Sequence, residues 1–126
     1  MKSALFQSGD LKAIVERRCQ PLIEEELPLL SLQGVLKNFS PQQKTDFLYY
    51  LVAELNEKCP FVKYIDLTWN ELNPDNVIPL TKLKHNPKIN LEFNNLDKSR
   101  KEDAAVLENV GQNVVVFQGP PPIQCR

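Results

Sequence analysis

The chain has 126 residues, of which 42% are hydrophobic and 25% are charged, and its formal net charge is −1. This length and composition are those of one globular domain with a modest core. The nearly neutral charge argues against a nucleic-acid partner, because binding to phosphates requires an excess of lysine and arginine. No stretch reaches the roughly 20 continuous apolar residues that cross a bilayer. We therefore expect neither nucleic acid nor a membrane as a partner.

The cysteines and the single histidine give no sign of a metal site. Cys19, Cys59 and Cys125 are odd in number, and their spacing fits neither a disulfide framework nor a zinc motif. His85 lies in a Lys/Asn/Pro segment without a cysteine nearby. We expect free thiols, no metal and no cofactor. Because the first residues also lack the features of a signal peptide, the expected location is the cytoplasm.

The pattern of the N-terminal part of the chain predicts helices. A Ser-Gly-Asp sequence at residues 8–10 offers an N-cap, and Leu11, Ile14 and Val15 follow at helical spacing. Pro21 is expected to end this helix or to open another, because proline lacks a backbone N–H. Farther on, Ser40 with Pro41 and a glutamine at position 43 predicts a capping box and a helix over about 41–57.

Two shorter helices are expected in the second half. Asn73-Pro74-Asp75 is typical of a helix start, but Pro79 should limit that helix to about one turn on either side or divert it. Residues 99–102, Ser-Arg-Lys-Glu, predict a second capping box and a helix that ends near Gly111. The Pro-rich tail at 120–126 cannot pair as a central strand, so it either lies extended along an edge or is disordered.

The segment between these helices carries a repeated pattern. Residues 62–72 follow the spacing L-x-x-L-x-L-x-x-N-x-L, in which Ile65 and Leu67 alternate inward along a short strand. Asn70 is expected to bond backbone groups in the turn that follows. The same four positions recur 24 residues later, and they are Ile65/Ile89, Leu67/Leu91, Asn70/Asn94 and Leu72/Leu96. A weaker copy spans 114–119, with glycine in place of the asparagine.

An incomplete copy precedes these repeats. Leu27, Leu30 and Leu32 have the same spacing, but Val35 stands at the asparagine position. Two interpretations fit this segment equally well: a degenerate first repeat and a capping strand. The alternation of helices and strands along the chain predicts that the strands are parallel.

The repeats resemble the leucine-rich-repeat family, in the ribonuclease-inhibitor-like form, over residues 60–119. The resemblance implies an α/β fold: a short solenoid with parallel strands on the concave side and helices on the convex side. Residues 1–58 would form a helical cap that contains either the degenerate repeat or the capping strand, residues 59–119 would form the repeats, and residues 120–126 the tail. The period is shorter than is typical, and Val62 becomes Asn86 in the second copy. Short irregular arrays of this kind are similar to those of bacterial effectors, which act in a host cytosol, and of small eukaryotic adaptors.

A repeat fold of this type implies protein binding rather than catalysis. The candidate partner-binding residues alternate with the inward positions and pair across the strands: Tyr64 with Lys88, Asp66 with Asn90, Thr68 with Glu92 and Trp69 with Phe93. In the alternative arrangement Trp69 and Phe93 fill the interior, and the binding surface shrinks to Tyr64, Asp66, Lys88 and Asn90. Reversing the charges of Asp66 and Lys88 is expected to weaken binding with little effect on stability.

Two other functions are open at this point. The chain can be a capping or structural fragment of a larger repeat protein, since its C-terminal strand offers an edge to further repeats or to a second copy of the chain. A hydrolase would use Cys59, Cys125 or the carboxylates of Asp66 and Glu92, but the sequence provides no base placed beside a nucleophile.

Overall fold

The computed structural model describes residues 8–111 and 114–115, and in this part of the chain four helices alternate with four short strands. The helices are α1 (Ser8–Glu25), α2 (Pro41–Lys58), a 3-10 helix (Pro74–Lys82) and α3 (Lys101–Val110). The strands are β1 (Leu29–Ser31), β2 (Tyr64–Asp66), β3 (Lys88–Asn90) and β4 (Val114–Val115). The fold class is therefore mixed α/β.

All four strands are parallel and lie in one sheet in the order of the chain, β1-β2-β3-β4. Tyr64 pairs with Lys88 and Asp66 with Asn90, as the fixed offset of 24 residues predicts. On the other side of β2, Ser31 pairs with Asp66 at an offset of 35. The predicted register of β2 and β3 is thus confirmed.

The inward positions of the strands join a continuous core. Ile65, Leu67, Ile89 and Leu91 are at most 2% exposed, and they pack with the apolar sides of the helices. Each helix packs against the next one along the chain. Burying a leucine or isoleucine side chain contributes about 1.5–3 kcal/mol, so these positions fix which face of each strand is internal.

The two prolines expected to interrupt helices have different outcomes. α1 continues through Pro21, because the residue is exposed while Cys19 and Leu22 on either side of it are buried in the core. Helix α1 ends instead at a left-handed residue, Glu26, with φ 52°. The segment around Pro79 is a nine-residue 3-10 helix that begins at Pro74, so the expected short helix with about one turn on either side of Pro79 is confirmed and the alternative, a diverted chain, is wrong.

The helix ends predicted at Ser40, Asn73 and Gly111 agree with the structure, and the one predicted at Ser99 does not. Ser40 and Gln43 form the expected capping box at the start of α2. The hydroxyl of Ser40 accepts from the N–H of Gln43 at 3.2 Å, and Oε1 of Gln43 accepts from the N–H of Ser40 at 2.8 Å. Gly111 ends α3, as expected. The box predicted from Ser99 and Glu102 is wrong, because Ser99 donates both its N–H and its hydroxyl to the side chain of Asp97. The helix begins one residue later than that box requires.

Candidate partner-binding face

The turn that follows β2 is held by a buried asparagine. Asn70 is 0% exposed, and its side chain accepts a hydrogen bond of 2.8 Å from the N–H of Leu36. The same side chain donates to the carbonyls of Leu32 and Leu67 at 2.9 and 3.0 Å. One side chain therefore satisfies three backbone groups in two neighbouring turns, which confirms the role expected of Asn70.

Asn94 repeats this arrangement after β3. Its amide oxygen accepts from the N–H groups of Asn70 and Leu72, each at 3.0 Å. Its amide nitrogen donates to the carbonyl of Leu67 at 2.9 Å, so each asparagine reaches back to the preceding turn. Val35 holds the equivalent position after β1, which is the first strand of the described sheet. A side chain there has no earlier turn in that sheet to bond.

A second pair of polar side chains, Asp66 and Asn90, bonds the backbone at the ends of β2 and β3. The Oδ1 atom of Asp66 accepts from the N–H and the hydroxyl of Thr68, at 3.0 and 2.7 Å. Asn90 accepts in the same way from the N–H of Glu92 at 3.0 Å. Side chains that bond the backbone two residues ahead stabilise such bends. The expectation that Thr68 lies on the exposed surface is therefore wrong: it is 6% exposed, and its hydroxyl is used inside the turn.

The residue after Thr68, and its equivalents in the turns before and after, adopt a left-handed backbone conformation. Gly34, Trp69 and Phe93 have φ values of 72°, 62° and 61°. They are equivalent in the register, because 35 residues separate the first two and 24 the last two. For a residue other than glycine this conformation costs about 1–2 kcal/mol. Sequence analysis did not identify Gly34, although extending the register back from Trp69 would have found it.

The two aromatic side chains of this row are exposed and stacked. Trp69 is 52% exposed and Phe93 41%, so the alternative in which they fill the interior is wrong. Their ring centroids are 4.4 Å apart, and the ring planes differ by 6°. This distance is close to the spacing of about 4.8 Å between neighbouring strands. The sheet therefore sets the separation of the two rings.

The remaining candidates surround this stack on the same side of the sheet. Asn90 donates from Nδ2 to the hydroxyl of Tyr64 at 3.1 Å, which ties neighbouring strands together at the surface. Lys88 is exposed, and Glu92 is half-buried. We call this surface the ladder face, and its residues are Tyr64, Asp66, Trp69, Lys88, Asn90, Glu92 and Phe93. The same register, extended to the weaker third copy, predicts that residues 113, 117 and 118 lie beside Lys88, Glu92 and Phe93, and these three residues lie outside the described part of the chain.

The residues considered for catalysis are placed differently. Cys19 and Cys59 are free and buried, and burial raises the pKa of the Cys19 thiol to about 12. Burial also raises the pKa of the Cys59 thiol, which keeps it in the less nucleophilic protonated form. His85 is exposed, and Cys125 lies outside the described residues.

Neither a metal site among the described residues nor a related protein indicates the function of the chain. Across residues 8–111 and 114–115, no group of three or more histidine, cysteine or acidic side chains is placed to hold a metal ion. No helix in the same ranges is long and apolar enough to cross a membrane. Comparisons with protein-family models, curated proteins and solved structures gave no match. The ladder face therefore has to be interpreted from its own geometry.

Proposed function

We propose that the chain is a short leucine-rich-repeat protein that binds a partner protein through the ladder face. Three features support the repeat assignment: parallel strands in chain order, a repeated register, and asparagines that bond from one turn to the turn before it. In such folds each repeat buries its apolar side against its neighbours, and the exposed strand surface serves for recognition.

The observation that carries the binding proposal is the exposed Trp69–Phe93 stack. Both residues occupy a backbone conformation that glycine or asparagine would adopt at lower cost. Folding alone therefore does not account for large aromatic side chains at these positions. Strained backbone is concentrated at functional sites, and tryptophan is among the residues that dominate protein interfaces.

Binding also agrees better than catalysis with the chemistry of the described residues. A hydrolase based on Cys59 would need a thiolate beside a base, whereas burial keeps this thiol protonated. Free buried thiols are in keeping with a reducing compartment such as the cytosol. We accordingly propose a cytosolic binding protein without a cofactor.

The experiment that tests this proposal is a pull-down with the immobilised full chain from a lysate of the source cells. A double variant, Trp69→Asn with Phe93→Asn, removes both rings and keeps side chains that tolerate the left-handed backbone. Tyr49→Asn is the matched control, because Tyr49 is a 66% exposed aromatic residue on α2. We expect a protein that the wild type and the control capture and the double variant does not. Equal capture by all three chains would contradict the proposal.

A further inference from the structure

The row of left-handed residues has an open position next to Trp69. Phe93 covers one face of the indole, so the other face is directed towards β1, where the row continues with Gly34. The N–H of Gly34 donates to the carbonyl of Thr68 at 3.1 Å, which fixes Gly34 beside Trp69. Apart from Gly34 and its two chain neighbours, no atom of the described residues would lie within 4 Å of a Cβ atom built on Gly34. Close to the backbone, the space that a third ring of this row would occupy therefore holds no atom of the described residues.

This position, which we call the Gly34 slot, has the dimensions of a stacking site. The two existing rings lie 4.4 Å apart, and the strand spacing of about 4.8 Å repeats between β1 and β2. A flat group over Gly34 would thus lie at stacking distance from the free face of Trp69. Stacking of planar groups is favourable at centroid distances of about 4.5–7 Å.

The charges around the row favour a cationic group. Asp66, Glu71 and Glu92 lie within three residues of Trp69 or Phe93 in the chain, and within the described ranges none of them forms an ion pair. Lys88 belongs to β3, on the side of Trp69 away from Gly34, and Lys37 is the one lysine within three residues of Gly34 in the chain. Lys44 donates from Nζ to the main-chain carbonyl of Glu71 at 2.9 Å. Since Lys44 is buried, it offsets part of this negative charge from inside the fold. Glu71 is exposed, and the bonds from Thr68 use only Oδ1 of Asp66, so Glu71 and Oδ2 of Asp66 can accept from a positive ligand.

We propose that the Gly34 slot binds an arginine side chain of the partner protein. A guanidinium group is both planar and positive, so it stacks on an indole and donates hydrogen bonds to carboxylates at the same time. A lysine ammonium lacks the plane, and an aromatic side chain lacks the charge. This inference rests on the proposed function of the ladder face and adds the chemistry of the residue that is recognised there.

The chain reports on this slot directly, because Trp69 is its single tryptophan. The probe is the blocked tripeptide acetyl-Gly-Arg-Gly-amide, titrated into the full chain while Trp69 fluorescence is followed. Tripeptides with lysine, citrulline or tyrosine in place of arginine separate the effect of charge from that of planarity. We expect a saturable change with arginine and a dissociation constant about threefold or more below those of the other peptides, as for an exposed cation–π contact.

Two variants test whether the slot is the site of binding. Gly34→Asn fills the slot with a side chain that tolerates a φ of 72°, and it should weaken arginine binding about threefold or more. Asp66→Asn removes one negative charge from the strand next to β1 and keeps an acceptor for the turn, so it should weaken arginine binding by a smaller factor. Tyr49→Asn should change nothing, and circular dichroism checks that each variant is folded.

The inference would be overturned by arginine binding that is absent, that is unaffected by Gly34→Asn, or that is equalled by any of the other three peptides. In that case the pull-down still tests independently whether the ladder face binds a partner protein. Capture that depends on Trp69 and Phe93, combined with failure of the arginine peptide, would remove this inference and leave the proposed function in place.

Discussion

Adjacent residues of one turn have opposite surroundings in this protein. Asn70 is 0% exposed and makes three hydrogen bonds to the backbone, whereas Trp69 is 52% exposed in a left-handed conformation. The next turn repeats the contrast with Asn94 and Phe93. We therefore distinguish an inner row of asparagines, Asn70 and Asn94, from an outer row, Gly34, Trp69 and Phe93.

The two rows contribute differently to the stability of the fold. A buried backbone group that loses its partner costs about 1–3 kcal/mol, so the inner row is required by the fold. The outer row requires only a residue that accepts a positive φ, and Gly34 meets this requirement without a side chain. Tryptophan and phenylalanine in the outer row thus call for an explanation other than folding, and partner binding provides one.

The largest expected effect is the loss of an inner-row side chain. Asn70→Ala should lower the free energy of unfolding by about 3 kcal/mol, because three buried backbone groups lose their partner. Asn94→Ala should cost about 2 kcal/mol, since Asn94 is only partly buried and water can replace some of its bonds. Urea denaturation measures both.

The control for these variants is Asn38→Ala, at an exposed asparagine outside the inner row, with an expected change within about 0.5 kcal/mol. If the urea midpoints of the two inner-row variants equalled that of the wild type, the distinction between the rows would be lost, and the repeat register with it.

A smaller effect is expected at Asp66, which belongs to the ladder face and also bends the chain. Asp66→Ala should cost about 1–2 kcal/mol, because the N–H and hydroxyl of Thr68 lose their acceptor. Asp66→Asn keeps an acceptor oxygen and should stay within about 0.5 kcal/mol of the wild type. Thermal melting compares the two variants. Equal melting temperatures for Asp66→Ala and Asp66→Asn would show that the bend does not depend on this side chain.

The role of Asp66 corrects one expectation from the sequence. Reversing the charges of Asp66 and Lys88 together was expected to leave stability nearly unchanged. The structure gives Asp66 two hydrogen bonds inside the turn, so a lysine there should destabilise the fold as well as change the surface charge. Lys88→Glu alone is the better test of surface charge, because Lys88 is exposed on β3.

The pairing of β2 with β3 could be predicted from the sequence, because apolar residues and asparagines recur together at a fixed offset of 24 residues. It did not predict the burial of Thr68, since a period of two gives the direction of a side chain within a strand and does not extend into the bend after it. Pro21 was misjudged for a related reason. Core packing around a proline can keep a helix together where local propensity alone would end it.

The outer row marks a further limit of sequence reasoning. Whether Trp69 and Phe93 point inward or outward depends on the sign of φ at these positions, and that sign is fixed by the bend and by the inner row. Their stacking requires in addition the exact lateral register of the turns. Neither quantity can be read from the residue types, so the pair remained ambiguous until the turns were seen in three dimensions.

The central claim is that the outer row binds a partner without being needed for the fold. The most direct test measures binding and melting on the same samples of Trp69→Asn with Phe93→Asn, using the protein captured by the wild type. Loss of the stack costs about 0.5–1.5 kcal/mol, while asparagine relieves left-handed strain of similar size at each position. We predict a melting temperature close to that of the wild type together with a loss of binding. Retained binding, or unfolding of the double variant, would contradict the account.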